Sequence, residues 1–259
     1  MSLERRLHPY PMVRLMHRLP EPGGPRTAYV WDIDKTYLDT HFSSLGGLAW
    51  IPFEFGVDKR AVPGTVPLLH RLRRGRDGRA FHPLYFVTAS PHQIRGSLAR
   101  KMLLDGVEFD GIIFKDWGAV LRRGGPRRLK EHLAFKLAAL MVLAADMPAE
   151  ISLHLFGDDA EADPLAYTLF AEVSAGTLRG ADLRARLGDH GVRRATIEPL
   201  VEAAAQLPLI DRVAGIHIRL VRFPDGARIR EYGDRVIGWP DATVLARTLA
   251  AAGLIPDAP

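Results

Sequence analysis

The chain contains no cysteine among its 259 residues. Disulfides, thiolate zinc sites and cysteine nucleophiles are therefore excluded. Long apolar runs are also missing, since no stretch approaches the ~20 apolar residues of a membrane-spanning helix. Residues 1–19 scatter arginines among short apolar pairs and lack the continuous apolar segment of a secretory signal. We expect a cytoplasmic protein and leave peripheral association with a membrane open.

Internal repeats and low-complexity tracts are absent as well. The composition is ordinary for a globular protein, because 47% of the residues are hydrophobic and 25% are charged. The length suits one generous α/β domain with at most a small addition. A net charge of +5 favours anionic partners, which include phosphate esters, nucleic acid and anionic membrane surfaces.

The chain divides at the breaker cluster Glu-Pro-Gly-Gly-Pro over residues 21–25. We predict an N-terminal extension over 1–26 and one domain over 27–259. Within that domain, short apolar runs alternate with helical patterns, which predicts an α/β fold with a central parallel sheet covered by helices on both faces. The predicted strands are residues 27–31, 83–87, 111–114, 151–156 and 213–221.

Two regions depart from this alternation. Residues 174–211 are typical of a helical insertion with two short helices, 181–187 and 197–206, that could form a small cap. Residues 222–237 predict a hairpin, because the Pro-Asp-Gly step at 224–226 is a strong turn signal.

Two carboxylates follow the first predicted strand one residue apart. Asp32 and Asp34 lie in the segment Asp-Ile-Asp-Lys-Thr over residues 32–36. Neighbouring carboxylates are costly without a cation, so the pair favours a divalent metal. One carboxylate can attack phosphorus while the other shuttles the proton. A polar turn after an edge strand would show the same pattern, so the interpretation depends on the other segments.

The second predicted strand ends in hydroxyl residues. Ser90 with Gln93 predicts a capping box, and Pro91 suits the first helical position. Thr88 has no such local role. Its hydroxyl is expected to lie with Ala89 beside the amide-rich start of the next helix, which is a suitable site for a phosphate oxygen. The alternative is a strand-end threonine selected for its β propensity.

A lysine is the third candidate. Lys136 stands among apolar neighbours in a helix predicted over 130–145, where a charged head group needs a partner. Lys130 belongs to a basic run that solvent can satisfy, so Lys136 is the better candidate. A cation near Asp32 would neutralise a transferring phosphoryl group.

A group of acids follows the fourth predicted strand. Asp158 comes first after the apolar run and is best placed as a metal ligand. Asp163 precedes a proline and a predicted helix, so it could be a helix N-cap, a partner for the lysine, or both. Asp159 could simply be solvated. By contrast, His82 and His154 are expected to be core or edge histidines rather than metal ligands.

These four segments resemble the four motifs of the haloacid dehalogenase (HAD) phosphatase superfamily: Asp-x-Asp-x-Thr, a strand-end Thr or Ser, a lysine, and Gly-Asp-x-x-x-x-Asp. The resemblance implies a three-layer Rossmann-like HAD fold with at most a small cap or helical insertion. It also implies that Asp32 is the nucleophile, that Asp34 is the general acid/base, and that Thr88, Ala89 and Lys136 bind the phosphate.

Metal and supporting roles follow from the same resemblance. Mg²⁺ would be held by Asp32, Asp158 and the backbone carbonyl of Asp34. Asp163 and Thr36 would support the site. The implied enzyme is a phosphoric monoester hydrolase that acts through an aspartyl-phosphate intermediate.

A closer resemblance is to the actin-patch phosphatidate phosphatase catalytic domain family. The segments that carry it are residues 32–40, 87–93, 115–118, 157–167 and 216–219. The family patterns at the first, second and fourth of these are Asp-Ile-Asp-Asp-Thr-x-x-x-Thr, Val-Ser-x-Ser-Pro-Trp-Gln and Gly-Asp-Ser-Gly-x-x-Asp-Pro-x-x-Tyr. This chain departs from them where Lys35 replaces a usual Asp, Thr88 a usual Ser and His92 a usual Trp, and residues 174–211 have no counterpart.

The resemblance implies a lipid phosphate such as phosphatidate as substrate, bound at a membrane surface. An open site with the arginines of 71–79 would suit an anionic head group, although solvated helix-end arginines show the same pattern. The alternatives are a phosphatase for nucleotides, nucleic-acid ends or phosphoproteins, and a catalytically idle HAD-like binding module. The presence of Asp32, Asp34 and Asp158 counts against the idle module.

Overall fold

The computed structural model describes residues 9–39, 60–124 and 131–257. Thr40 of the first motif and the alternative lysine, Lys130, lie outside these described residues. The strands of the described residues are β1 (Met12–Met16), β2 (Thr27–Asp32), β3 (Leu84–Pro91), β4 (Gly111–Lys115), β5 (Ser152–Asp158), β6 (Val213–Arg219) and β7 (Val236–Trp239). The α-helices are α1 (Thr65–Arg74), α2 (Arg95–Leu104), α3 (Trp117–Gly124), α4 (His132–Ala145), α5 (Asp163–Ala175), α6 (Gly180–Asp189), α7 (Arg194–Gln206) and α8 (Ala242–Ala251).

Within the described ranges the strands form one seven-stranded sheet in the order β1-β4-β3-β2-β5-β6-β7. β1 runs antiparallel to β4, whereas the other neighbouring pairs are parallel. The chain builds outwards from β2, first through β3 and β4 and then, on the other side, through β5, β6 and β7. Such a reversal opens a crevice at the carboxyl ends of β2 and β5, where ligands bind in sheets of this kind. The predicted three-layer, Rossmann-like α/β fold is confirmed.

Side chains along each strand point alternately to the two faces of the sheet, so the core has one part on each face. On β2, Ala28 and Val30 point to the face covered by α3 to α7, whereas Tyr29 and Trp31 point to the face covered by α1, α2 and α8. Parallel strands buried on both faces need a continuous apolar run, which β2 supplies. Asp32 continues the Val30 side of this alternation, so its carboxylate faces α4.

Helix α4 is apolar on all sides because it lies between the sheet and the helices α5 and α7. Every residue from Leu133 to Ala144 is buried. Lys136 therefore reaches no solvent, and its ammonium group must find partners inside the protein.

Helices α6 and α7 lie within the helical insertion anticipated near 174–211. Their side chains Leu183, Leu187 and Leu200 are buried in the same core as α4. The pair is therefore part of the helical layer on this face of the sheet. No helix in the described part of the chain has the length and apolar character needed to span a bilayer.

The predicted hairpin over 222–237 is wrong, because β7 runs parallel to β6. The turn itself is present, since Gly226 has a φ of 63° and donates its N–H to the carbonyl of Phe223 at 2.9 Å. Beyond the turn, a 3₁₀ helix over Ala227–Tyr232 carries the chain back, so that β7 begins at the same edge as β6.

The predicted N-terminal extension contributes β1, which pairs with β4 from Met12 opposite Lys115 onwards. Tyr10, just before β1, is fully buried, and the Lys115 ammonium lies 5.4 Å from the centroid of its ring. Five residues of mixed character are too few for a periodic signal, so the sequence did not indicate this strand.

Arg73, one of the arginines of 71–79, serves the fold rather than a ligand. It is buried and pairs with Asp110, which also accepts the N–H of Leu84 at 2.8 Å. Leu84 begins β3 and Asp110 precedes β4. This ion pair therefore lies at the amino-terminal edge of the sheet, opposite the crevice.

Candidate functional site

Asp32 ends β2 with a buried side chain. Lys136 Nζ lies 2.9 Å from its Oδ1, and Thr36 donates its hydroxyl to Oδ2 at 3.4 Å. Lys136 also pairs with Asp163 and, at 3.3 Å, with Glu161. The structure therefore brings the strand end, the helix lysine and the acids after β5 into one cluster.

Electrostatics within this cluster are dominated by burial. Burial opposes the charge on Lys136, but the carboxylates of Asp163, Asp32 and Glu161 hold its pKa well above the usual value. Burial raises the pKa of Asp32, and Lys136 offsets this only in part because Asp163 and Glu161 add negative charge nearby. The cluster thus contains more carboxyl groups than the single positive charge of Lys136 can neutralise.

Asp34 is held by the end of β3. Ser90 donates its hydroxyl to Asp34 Oδ2 at 2.7 Å, and Thr88 donates to the same oxygen at 3.3 Å. The N–H of Ser90 in turn donates to Thr88 Oγ1 at 3.0 Å. All three side chains are buried, so these bonds fix the orientation of the Asp34 carboxylate.

The predicted capping box of Ser90 and Gln93 is wrong. β3 continues to Pro91, and α2 begins only at Arg95, without a side-chain cap. The serine hydroxyl binds Asp34 instead. The local sequence pattern could not reveal that Ser90 binds Asp34, because Asp34 lies in the loop after a different strand.

Trp117 fixes the backbone between the two β3 hydroxyls. Its indole Nε1 donates to the carbonyl of Ala89 at 2.8 Å. Thr88 and Ala89 are both buried at the carboxyl end of β3. The phosphate-binding roles of Thr88, Ala89 and Lys136 stay predictions.

The end of β5 supplies two further buried acids. Asp158 is the last residue of β5 and Asp163 is the first residue of α5. Asp163 accepts the N–H of Asp158 at 3.1 Å and pairs with Lys136, so it is the lysine partner and does not cap its own helix. A Cβ on Gly157 would lie 2.6 Å from the Cβ of Asp163, so only glycine permits this approach.

The three acids Asp32, Asp158 and Asp163 fit a hard divalent cation. Each offers a carboxylate oxygen, and these oxygens lie within 4.8 Å of one another. Asp158 Oδ2 is buried and has no hydrogen-bond partner among the described residues. Burial and the neighbouring Asp163 raise the pKa of Asp158 to about 8. A cation in this cluster would supply the missing positive charge and a partner for the orphaned oxygen.

Glu161 belongs to the site although the sequence did not single it out. Its carboxylate lies 3.3 Å from Lys136 Nζ, 3.3 Å from His132 Nδ1 and 4.0 Å from Lys35 Nζ. Burial raises its pKa, but Lys136 and His132 outweigh this and hold the pKa below its usual range. The signal in the sequence that could have identified it is its position between Asp158 and Asp163.

Asp159 is buried rather than solvated, which corrects the interpretation from sequence. Its carboxylate accepts the backbone N–H groups of Val221, Arg222 and Phe223 at 2.7, 2.6 and 2.9 Å. This acid therefore anchors the chain that follows β6 to the chain that follows β5.

Lys35 has a φ of 61°, the one positive φ of a non-glycine residue in the described ranges. Its N–H donates to the carbonyl of Leu38 at 2.7 Å, and its own carbonyl accepts from Arg219 at 2.6 Å. The left-handed region is unfavourable for lysine, so these bonds hold a strained turn in place. The loop after Asp32 is thereby fastened to β6.

A model of the family described as phosphatidate phosphatase APP1, catalytic domain, matches residues 27–185. No curated protein and no solved structure matches the chain. The family match spans more than half of the chain and includes the whole cluster of Asp32, Lys136, Asp158 and Asp163. The chain therefore belongs to the phosphatidate phosphatase APP1 catalytic domain family.

Proposed function

We propose that the protein is a Mg²⁺-dependent phosphatidate phosphatase of the HAD type, with Asp32 as its nucleophile. Family membership supports a phosphatase, that is, a hydrolase. The observation that carries the mechanism is the 2.9 Å contact between Lys136 Nζ and Asp32 Oδ1 beside a buried carboxylate cluster. A desolvated aspartate paired with a lysine suits attack on a phosphoryl group, because the lysine also neutralises that group.

In the first step an Asp32 oxygen attacks phosphorus, and the bond from phosphorus to the ester oxygen breaks. Asp34 gives its proton to the departing oxygen. For phosphatidate the products are diacylglycerol and an aspartyl-phosphate on Asp32. Ser90 and Thr88 both bind Asp34 Oδ2, which leaves Oδ1 to carry the proton.

In the second step water attacks the phosphorus of the aspartyl-phosphate. Asp34, now a carboxylate, takes the proton of that water. The bond between phosphorus and the Asp32 oxygen breaks, so the free carboxylate returns and inorganic phosphate leaves. Thr88, the backbone at Ala89 and Lys136 are proposed to bind the phosphoryl oxygens, because all three present hydrogen-bond donors.

Asp32, Asp158 and the backbone carbonyl of Asp34 are proposed to hold Mg²⁺. When bound, the ion would neutralise charge on the phosphoryl group and polarise its oxygens. Asp158 suits this role because its Oδ2 is buried without a partner in the described part of the chain. Asp163 is already paired with Lys136 and supports the site by holding that ammonium in place.

Hydrolysis of phosphatidate and of a soluble aryl phosphate in the presence of Mg²⁺ tests the mechanism. We expect Asp32→Asn to lower kcat by about 10³-fold or more on both substrates, because the amide cannot act as the nucleophile. Asp182→Asn, at an exposed acid on α6, is the matched control and should keep full activity. Undiminished turnover by Asp32→Asn would overturn the aspartyl-phosphate mechanism.

A substrate panel tests the lipid assignment separately. Phosphatidate, nucleotides and phosphopeptides should be compared by kcat/KM under the same conditions. We expect phosphatidate to be preferred. A clear preference for nucleotides or phosphopeptides would move the substrate to that class while leaving the chemistry at Asp32 intact.

A further inference from the structure

The chain after β6 forms a loop beside the site, residues 221–230, which we term the rim loop. β6 ends at Arg219, which lies opposite Asp158 in the sheet and donates to the carbonyl of Lys35 at 2.6 Å. Asp159 then binds three successive backbone N–H groups at the start of the rim loop. The rim loop therefore lies at the carboxyl edge of the sheet, next to the proposed metal site and nucleophile.

The rim loop exposes an aromatic ring and an aliphatic side chain together with cations. Val221 is 38% exposed, and Phe223 is partly exposed. The guanidinium groups of Arg222 and Arg228 lie 5.3 and 4.4 Å from the centroid of the Phe223 ring. Within the described residues neither arginine forms an ion pair with a carboxylate, so both cations are available at the surface beside the ring.

The charge of the rim loop is positive. Arg222, Arg228 and Arg230 are exposed. Asp225 is the acid of the rim loop, and its carboxylate accepts the N–H of Ala227 at 3.2 Å. The loop thus presents more basic than acidic side chains, and an anionic lipid surface attracts each basic side chain that approaches it.

The start of the rim loop is also anchored. Asp159 is buried and accepts the N–H groups of its first three residues. Such anchoring reduces the conformational entropy that this segment loses on binding. Single exposed apolar residues are common on protein surfaces, but here exposure, charge and anchoring occur together at the edge of the site.

We propose that the rim loop binds the surface of an anionic phospholipid bilayer and so presents the site to a substrate in the membrane. The inference rests on the proposed phosphatidate phosphatase function, since a membrane-borne ester requires the edge of the site to meet the bilayer. Val221 and Phe223 enter the head-group region, and Arg222 and Arg228 bind lipid phosphates.

Sedimentation with phosphatidylcholine vesicles containing phosphatidylserine tests the binding without engaging the site, because neither lipid is a phosphomonoester. We expect the wild-type protein to bind these vesicles, to bind pure phosphatidylcholine vesicles far more weakly, and to be released by high salt. Arg222→Ser and Arg228→Ser should each weaken binding about fivefold. Unchanged binding by the double variant, or equal binding to both kinds of vesicle, would overturn the proposal.

Two exposed residues on α2, the helix between β3 and β4, control for a general effect of surface charge or exposed apolar side chains. Leu103 and Arg100 on α2 are exposed, with Leu103 at 78%. Leu103→Ser and Arg100→Ser should leave vesicle binding unchanged. A loss as large as that of the rim-loop variants would contradict a specific surface.

Rates of hydrolysis distinguish a defect in membrane binding from a defect in the chemical reaction. The rim-loop variants should keep the wild-type rate on a soluble aryl phosphate and lose rate on phosphatidate in vesicles. If the wild-type protein binds anionic vesicles but ignores phosphatidate, the substrate proposal fails and the docking surface stands. Binding to nucleic acid without binding to vesicles would overturn the docking surface.

Discussion

Two buried hydroxyls, from Ser90 and Thr88, donate to a single oxygen of Asp34. In Ser90→Ala only the longer bond from Thr88 would remain, and the carboxylate could rotate. We expect kcat to fall about 10- to 100-fold, a part of the roughly 10²–10⁴-fold that general acid–base catalysis contributes. The loss should be larger for an alkyl phosphate than for an aryl phosphate, whose leaving group needs less help from a proton.

Two variants control this measurement. Ser90→Thr keeps a hydroxyl and should restore part of the rate. Ser174→Ala removes another buried hydroxyl, which donates to the carbonyl of Ala171 at 3.1 Å far from the site, and should leave kcat unchanged. An equal loss on alkyl and aryl phosphates would contradict a role for Ser90 through Asp34.

Asp158 predicts a pH dependence for metal binding. Burial and Asp163 raise its pKa from 3.8 to about 8, so below that pH the folded, metal-free protein keeps a proton that the unfolded chain has already lost. The contribution of Asp158 to the stability of the metal-free protein should therefore fall as pH rises from about 4 to 8. Under the proposed function, Mg²⁺ would have to displace this proton in order to bind. We expect the apparent Mg²⁺ affinity to rise by up to about tenfold per pH unit between pH ~6 and ~8.

Calorimetric titration with Mg²⁺ across this pH range measures the effect directly. Asp158→Asn should show no Mg²⁺ response at any of these pH values. A wild-type affinity that is independent of pH would contradict the raised pKa of Asp158 as the cause.

At the scale of secondary-structure elements, the neighbouring strands β5 and β6 are also linked by two buried histidines. His154 Nδ1 lies 3.2 Å from His217 Nε2, and the ring of His217 stacks on Phe156 at 4.6 Å between centroids. Burial lowers the pKa of His154 to about 4, and burial together with His154 lowers the pKa of His217 to about 3. The expectation that His154 is a core or edge residue agrees with this environment.

Both histidines should make stability fall at low pH. The unfolded chain takes up protons as pH falls through about 6.5, whereas the folded chain does not until about 4 and 3. The contribution of these two histidines to stability is therefore complete above pH ~6.5 and is lost as pH falls from there to pH ~4, by up to about 2.7 kcal/mol per pH unit for two protons. Urea unfolding of His154→Gln/His217→Gln should show a shallower slope, whereas His190→Gln, at an exposed histidine, should not.

How much of the site the sequence could predict depends on the range of the interactions. Asp32, Thr88 and Asp158 could be assigned to one edge, because the carboxyl ends of parallel strands share an edge. The contact between Ser90 and Asp34 spans 56 residues of chain, and that between Asp159 and Val221 spans 62. No local pattern encodes such partners, so local rules assigned Ser90 to a cap and Asp159 to solvent.

At the scale of the whole molecule, β1 closes one edge of the sheet by covering β4. Deletion of residues 1–17 would expose β4, whose buried residues include Ile112, Ile113 and Phe114. We expect concentration-dependent association, because an exposed apolar edge pairs with other chains. Loss of buried Tyr10 should also lower stability by roughly 3–5 kcal/mol.

Light scattering of the truncated protein measures this association. A synthetic peptide of residues 9–17 should suppress it by adding the missing strand. A truncated protein that stays monomeric at all concentrations would show that β4 does not depend on β1 for protection.

The overall α/β architecture was predictable because strands and helices leave different apolar periods in sequence. The direction of β7 could not be predicted. A Pro-Asp-Gly turn gives the same local signal whether the next strand returns antiparallel or, as here, a 3₁₀ helix leads into a parallel strand. The structure instead packs β7 against α8 and the 3₁₀ helix, and β6 against α5, and a turn signal encodes none of these contacts.

The crowding of acids around Lys136 also sets stability against chemistry. Without a metal, burying Asp32, Asp158 and Asp163 together opposes folding, because each of them must either give up its hydration as an anion or keep a proton. Changing one of them to asparagine would remove that cost and gain stability. A site that keeps all three acids in spite of this cost is built to bind a cation and not to stabilise the fold.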